Sequence, residues 1–148
     1  MDRKEYLNKL VYLHGALFET MRLYPPIPFE RSSPKKSDVL PSGHRIEANP
    51  TIIIQIYLMG RMRSIWGEDT LEFKPERWIS ETGDLRHEPS SKFFAFNSGP
   101  RICPGKHFAI MTLKNVVVEI LQIYDIKVVK GHKIEPKASY CSSHEAWA

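Results

Sequence analysis

Two long helical periodicities and one short zone of turns and β-branched runs predict a mainly α fold with a small antiparallel β-sheet. From about Lys4 to Leu23, Leu7, Leu10, Val11, His14, Leu17, Phe18 and Met21 recur at i, i+3, i+4, i+7, the spacing of an amphipathic helix. From Phe108 to Tyr124 the pattern is apolar on most sides, which predicts a helix buried deep in a larger protein. Between Val39 and Leu58 short runs are punctuated by turn residues, the signature of paired strands.

Taken in order, the first helix stops at Pro25-Pro26, because proline supplies no N–H and clashes with the preceding turn. The stretch to Pro28 is then extended. Pro41-Ser42-Gly43 marks a turn, followed by the strand segments Arg45-Ile46-Glu47 and Thr51–Ile56. A helical turn follows near Leu58–Arg63, then a loop through Ile65-Trp66-Gly67 to Phe73-Lys74-Pro75-Glu76-Arg77-Trp78. Ser80–Ser91 is polar and loop-like. After the second helix, Asp125–Val129 reads as short strand-like sequence, with a turn at Gly131. No repeat, low-complexity tract or internal domain boundary interrupts the chain.

Composition narrows the function. The 148 residues are 42% hydrophobic and 26% charged, with mean hydropathy −0.34, as in a soluble globular protein. The formal charge of +4 is dispersed, so no nucleic-acid stripe forms; a solvated face or an acidic partner suits it better. Two cysteines, Cys103 and Cys141, make no disulfide framework and suit a reducing compartment. No secretory signal opens the chain, and the longest apolar run, around Thr51–Gly60, is too short to span a bilayer.

The densest chemical signal is Phe96-Asn97-Ser98-Gly99-Pro100-Arg101-Ile102-Cys103-Pro104-Gly105. It places a cysteine in a loop just before a helix, with Pro104 at the expected first helical position and Cys103 at or next to the cap. The positive end of the helix dipole then favours a thiolate. Gly99 and Gly105 allow close approach of a flat ligand or positive φ, and Phe96 is placed to wall the sulfur from water. A buried metal-ligating thiolate fits this pattern; a structural cysteine in a turn is the plainer alternative. His107 lies one helical turn on, but zinc needs three or four ligands and no second Cys/His set stands nearby.

The pattern F-x-x-G-x-R-x-C-x-G resembles the haem-binding loop of the cytochrome P450 family. Two further motifs stand in that family's order: Glu19-x-x-Arg22, followed by Leu23-Tyr24-Pro25-Pro26, and Pro75-Glu76-Arg77-Trp78. The resemblance implies the carboxy-terminal part of the cytochrome P450 fold over residues 1–136, with 137–148 as an atypical polar tail. It implies haem b as cofactor, with Cys103 as the axial thiolate and metal ligand. Arg101 would pair with a propionate, and Phe96 would cover the proximal side near Gly99 and Gly105. Arg31 would face a propionate too, though a solvated arginine is the alternative. Ile27, Pro28 and Phe29 would lie near substrate, as apolar residues of any core also could. Glu19, Arg22 and Arg77 would form a buried charged triad that braces the haem and is not catalytic.

Leu58–Gly67 and Phe73–Trp78 look most like plant members that hydroxylate long-chain fatty acids or alkanes, with Arg63 standing where an acidic residue is expected. The implied partners are NADPH-cytochrome P450 reductase, dioxygen and an apolar small-molecule substrate, at the cytoplasmic face of the endoplasmic reticulum. Membrane contact is expected only through an amino-terminal anchor that this sequence lacks. The distal helix of the family is missing as well, and after Pro136 the sequence departs from the usual hairpin. A truncated product with weak haem retention is the resulting expectation. The alternative function is a non-catalytic haem-binding or interaction fragment.

Overall fold

Leu10 breaks the first predicted helix in two. The computed structural model describes residues 2–131, and within them α1 spans Arg3–Lys9 and α2 spans Val11–Leu23. Leu10 takes φ −80°, ψ 72°, and its N–H turns back to the Leu7 carbonyl. That same carbonyl accepts the Lys114 ammonium at 2.9 Å from the far end of the chain. Local periodicity cannot report a bond to a residue more than a hundred positions away, so the sequence reads as one helix.

The predicted sheet forms as two separate antiparallel ladders. β1 (Glu30–Ser32) pairs with β4 (Ile52–Ile54) in the register Arg31 opposite Ile53. Between them β2 (Asp38–Val39) and β3 (Arg45–Ile46) form a hairpin over the Pro41-Ser42-Gly43 turn. Two helical turns follow, α3 (Ile56–Met59) and α4 (Arg63–Trp66), then a 3-10 turn at Pro75–Trp78. A second 3-10 turn, Gly99–Arg101, leads to α5, Lys106–Ile123.

The core is aromatic. Phe18 from α2 meets Trp78 and Phe93, with ring centroids 5.2 and 5.1 Å away, and Trp66 lies 5.5 Å from Trp78. Met21 and Ile110 complete this cluster. Edge-on and tilted aromatic pairs of this kind add about 0.5–1.5 kcal/mol each beyond area burial. The core joins α2 to the Pro75–Trp78 turn and to the amino-terminal half of α5.

α5 is not buried all round. Ile110, Lys114 and Val118 face inward, whereas Leu113, Val116, Ile120, Ile123 and Tyr124 are exposed. Asp125–Val129, expected as strand-like, forms no strand; Ile126, Val128 and Val129 stand exposed with no ladder partner among the described residues. A lone extended segment gains nothing from its backbone groups until another strand pairs with them. The expected departure after Pro136, the polar tail and Cys141 lie outside the described residues.

Candidate functional site

The loop from Phe93 to Gly105 is shaped by two left-handed residues, Asn97 (φ 63°) and Gly99 (φ 60°). Glycine suits the second because a side chain there would be strained although the space beside it is open. Asn97 N–H bonds to the Phe94 carbonyl, Ile102 N–H to Gly99, and Cys103 N–H reaches back 2.8 Å to Phe96. That last bond clamps the loop and fixes the height of the cysteine. Its thiol is free and exposed rather than buried.

Helix α5 begins at Lys106 with Gly105 as N-cap, so Cys103 and Pro104 lie in the turn before it. The expected cap position for Cys103 shifts by two residues. The reason is that the Cys103 carbonyl accepts only a long 3.4 Å bond from Lys106, while the first full helical bond runs from Ala109 N–H to Gly105 at 2.8 Å. The sulfur still borders the helix mouth: a Cβ on Gly105 would sit 3.8 Å from Sγ. Phe96 is half-buried and packs edge-on to Phe93 at 6.4 Å, and the Lys106 ammonium lies 5.4 Å from the Phe96 ring centroid.

Behind the loop, Glu19 anchors a solvent-free network. Arg22 grips its carboxylate with two bonds of 2.8 Å. Trp78 Nε1–H donates to it at 2.8 Å and Lys74 N–H at 3.0 Å. Burial alone would raise the Glu19 pKa, but the bonds from Arg22, Trp78 and Lys74 outweigh it and hold the pKa below the usual value. Arg22 spends its other protons on the carbonyls of Gly60, Thr70 and Glu72. Arg77 only edges the triad, at 3.5 Å from Glu19. Its firm partners are the Trp66 carbonyl and Asp69, each at 2.9 Å. So Glu19 and Arg22 form the buried heart of the expected triad, and Arg77 stands at its edge.

Asp69 was not legible as a partner in the sequence; hydrogen bonds from Lys74 and Arg77 hold its pKa at about 2. Trp78 and Lys114 were also missed. The one signal for Lys114 is a lone cation on an otherwise apolar helical stripe, Ile110-Lys114-Val118.

Arg101 lies in the 3-10 turn beside Cys103 and is exposed. Arg31 sits apart, in β1, with a 3.4 Å bond to Thr51, the residue just before its partner strand β4. Ile27 is exposed and Pro28 half-buried. His107 is exposed, and no group of three or more His, Cys, Asp or Glu among the described residues could hold a metal ion. None of the described helices is long and apolar enough to cross a membrane.

The sequence profile of the cytochrome P450 family matches residues 2–142. The chain belongs to the cytochrome P450 family. Among its relatives, alkane hydroxylase MAH1 of Arabidopsis thaliana is 65% identical over 132 residues, covering 89% of this chain and 27% of that protein. Noroxomaritidine synthase 2 of Narcissus pseudonarcissus is 50% identical over 133 residues, covering 90% of the chain and 26% of the relative. A cytochrome P450 of Helianthus annuus is 42% identical over 128 residues and is matched over 82% of its own length. The chain thus spans about a quarter of the length of the first two relatives.

The cytochrome P450 cofactor in general is haem with a thiolate ligand, and the residues present suit it. Cys103 offers an exposed sulfur with no competing bond to another cysteine. Gly105 leaves the sulfur uncovered on the helix side, while Ile102 and Phe108 present open apolar surface and Arg101 an exposed cation close by. A soft sulfur donor among apolar groups and a guanidinium fits a flat macrocycle bearing carboxylates.

Proposed function

We propose that this chain is the haem-binding portion of a monooxygenase that inserts oxygen into C–H bonds of long aliphatic molecules, fatty acids or alkanes. One observation carries the reading. The Phe96–Gly105 loop presents an exposed thiol at the mouth of a long helix, in a sequence 65% identical to a protein named as an alkane hydroxylase.

In this reading Cys103 would supply the thiolate that holds the haem iron, and its backbone bond to Phe96 steadies the loop that presents the sulfur. Arg101 and Arg31 would neutralise the propionates, Phe96 would shield the proximal side, and Gly99 and Gly105 would give the loop its turn and its open edge. When bound, thiolate-ligated haem supplies cleavage of the O–O bond of dioxygen. The chain's own part is to present the exposed sulfur at the mouth of α5 and to hold the loop against the aromatic core beside the Glu19 network. Ile27, Pro28 and Phe29 would border the apolar substrate. NADPH-cytochrome P450 reductase would deliver electrons on the cysteine side, near Arg101 and Lys106, at the cytoplasmic face of the endoplasmic reticulum.

A second reading, a non-catalytic haem-binding or interaction fragment, draws on the exposed apolar stripe of α5, which suits a docking surface. One experiment separates the two. Haem-reconstituted protein, reduced and exposed to carbon monoxide, should show the red-shifted Soret band of a thiolate ligand, and Cys103→Ala should abolish it. A wild-type spectrum without that band defeats the haem assignment. The band without turnover of a fatty acid or alkane selects the fragment reading.

A further inference from the structure

We propose that Arg61 is a positioning residue that fastens both ends of the Tyr24–Phe29 segment; its link to substrate rests on the function proposed above. The Arg61 guanidinium lies 3.6 Å from the Tyr57 ring centroid and 5.6 Å from that of Tyr24. Its Nη1 donates to the Tyr57 carbonyl at 3.2 Å. It makes no ion pair with a carboxylate among the described residues. This arginine therefore directs its charge at two tyrosine faces.

Those tyrosines mark the two ends of one segment. Tyr24 caps α2, its N–H bonded to the Thr20 carbonyl at 2.7 Å. Tyr57 N–H holds the Pro28 carbonyl at 2.9 Å. Between them Pro25, Pro26 and Pro28 have no N–H, so the segment has few backbone donors of its own, and the ties at Tyr24 and Pro28 help set its orientation. Ile27, in its middle, is 58% exposed.

The platform that presents Arg61 is itself rigid. Arg22 donates to the Gly60 carbonyl, and Trp66 Nε1–H donates to Met59 at 3.1 Å. Arg61 thus passes the rigidity of the Glu19–Arg22 network to an exposed, proline-rich segment. A planar guanidinium can stack on both rings; an ammonium cannot.

The test is hydrogen exchange on the full chain, with and without haem, in wild type, Arg61→Ala and Arg61→Lys. Arg61→Ala should speed exchange of the Tyr24 and Tyr57 amides about tenfold, and Arg61→Lys about threefold, with the Phe18–Arg22 amides unchanged. In the haem-loaded protein, the Soret shift produced by a long-chain n-alkane should need about tenfold more ligand in Arg61→Ala, at unchanged carbon monoxide band intensity. Unchanged exchange at Tyr24 and Tyr57, or equal acceleration in the Phe18–Arg22 core, overturns the positioning role. Arg61→Lys behaving as wild type overturns the stacking argument. Faster exchange with unchanged alkane affinity overturns the link to substrate. A wild-type protein with no thiolate band defeats the haem reading instead and leaves the exchange result to decide Arg61.

Discussion

Glu19 shows how a buried charge is tolerated. Its side chain is 0% exposed, yet Arg22, Trp78 and the Lys74 backbone together saturate its two oxygens. A network of this kind is stable only when complete, because each missing partner strands another in a medium of low dielectric. Glu19→Ala leaves the Arg22 guanidinium buried without its counter-ion, and the expected loss is about 3–5 kcal/mol of unfolding free energy. Arg77→Ala should cost clearly less, since Arg77 is bound chiefly to the Trp66 carbonyl and the partly exposed Asp69. Urea unfolding midpoints of the two variants check the order. Equal losses would mean that the 3.5 Å Arg77–Glu19 contact is stronger than its length implies.

Among the elements, α2 and the turn after α3 come into close backbone contact at Gly60. A Cβ on Gly60 would lie 2.2 Å from the Arg22 carbonyl oxygen, far inside contact distance and against backbone that cannot swing aside. The same glycine's carbonyl accepts a bond from Arg22, so displacement would also break the charged network. Gly60→Ala is expected to destabilise by about 2–4 kcal/mol, through overpacking and the lost bond together. Thermal unfolding of the variant is the check. A near-neutral result would show that the turn can slide along α2. Elsewhere α1 and α5 are joined by the buried Lys114–Leu7 bond and by Arg3 reaching Asn115 and Glu119.

For the whole molecule, acid is the expected weakness. His14, on α2, is half-buried and faces a group of cations; its Nε2 has no hydrogen-bond partner among the described residues, and its ring stacks edge-on to Phe18 at 4.4 Å. Burial, with Lys114, His87, Lys106 and His107 nearby, lowers its pKa to about 4. The unfolded chain takes up that proton near pH ~6.5, before the folded one does. Stability is therefore full above the unfolded value and falls as pH drops toward 4, where the folded form also takes up the proton. Glu19 and Asp69, with lowered pKa values, add losses at still lower pH, as each is protonated below its unfolded value. Unfolding followed from pH 7 to pH 4 should lose less stability in His14→Gln than in wild type; equal slopes would remove His14 from the account. The exposed seam of α5, Leu113, Val116, Ile120 and Ile123, is the other feature of this scale, an apolar surface larger than isolated side chains would leave.

By itself the sequence determined the helices, the hairpin turn, the cysteine loop and the Glu19-x-x-Arg22 pair, because each is written in neighbouring residues or in a spacing of three or four. The tertiary structure alone decided the break at Leu10, the pairing of β1 with β4, the weight of Asp69 over Glu19 in holding Arg77, and the grip of Arg61 on two tyrosines. Each of these depends on which distant groups arrive beside one another once the aromatic core has closed, and periodicity carries no record of that. The half-open face of α5 belongs to the same class: hydrophobicity marks it as surface to be buried, but only packing shows which side is.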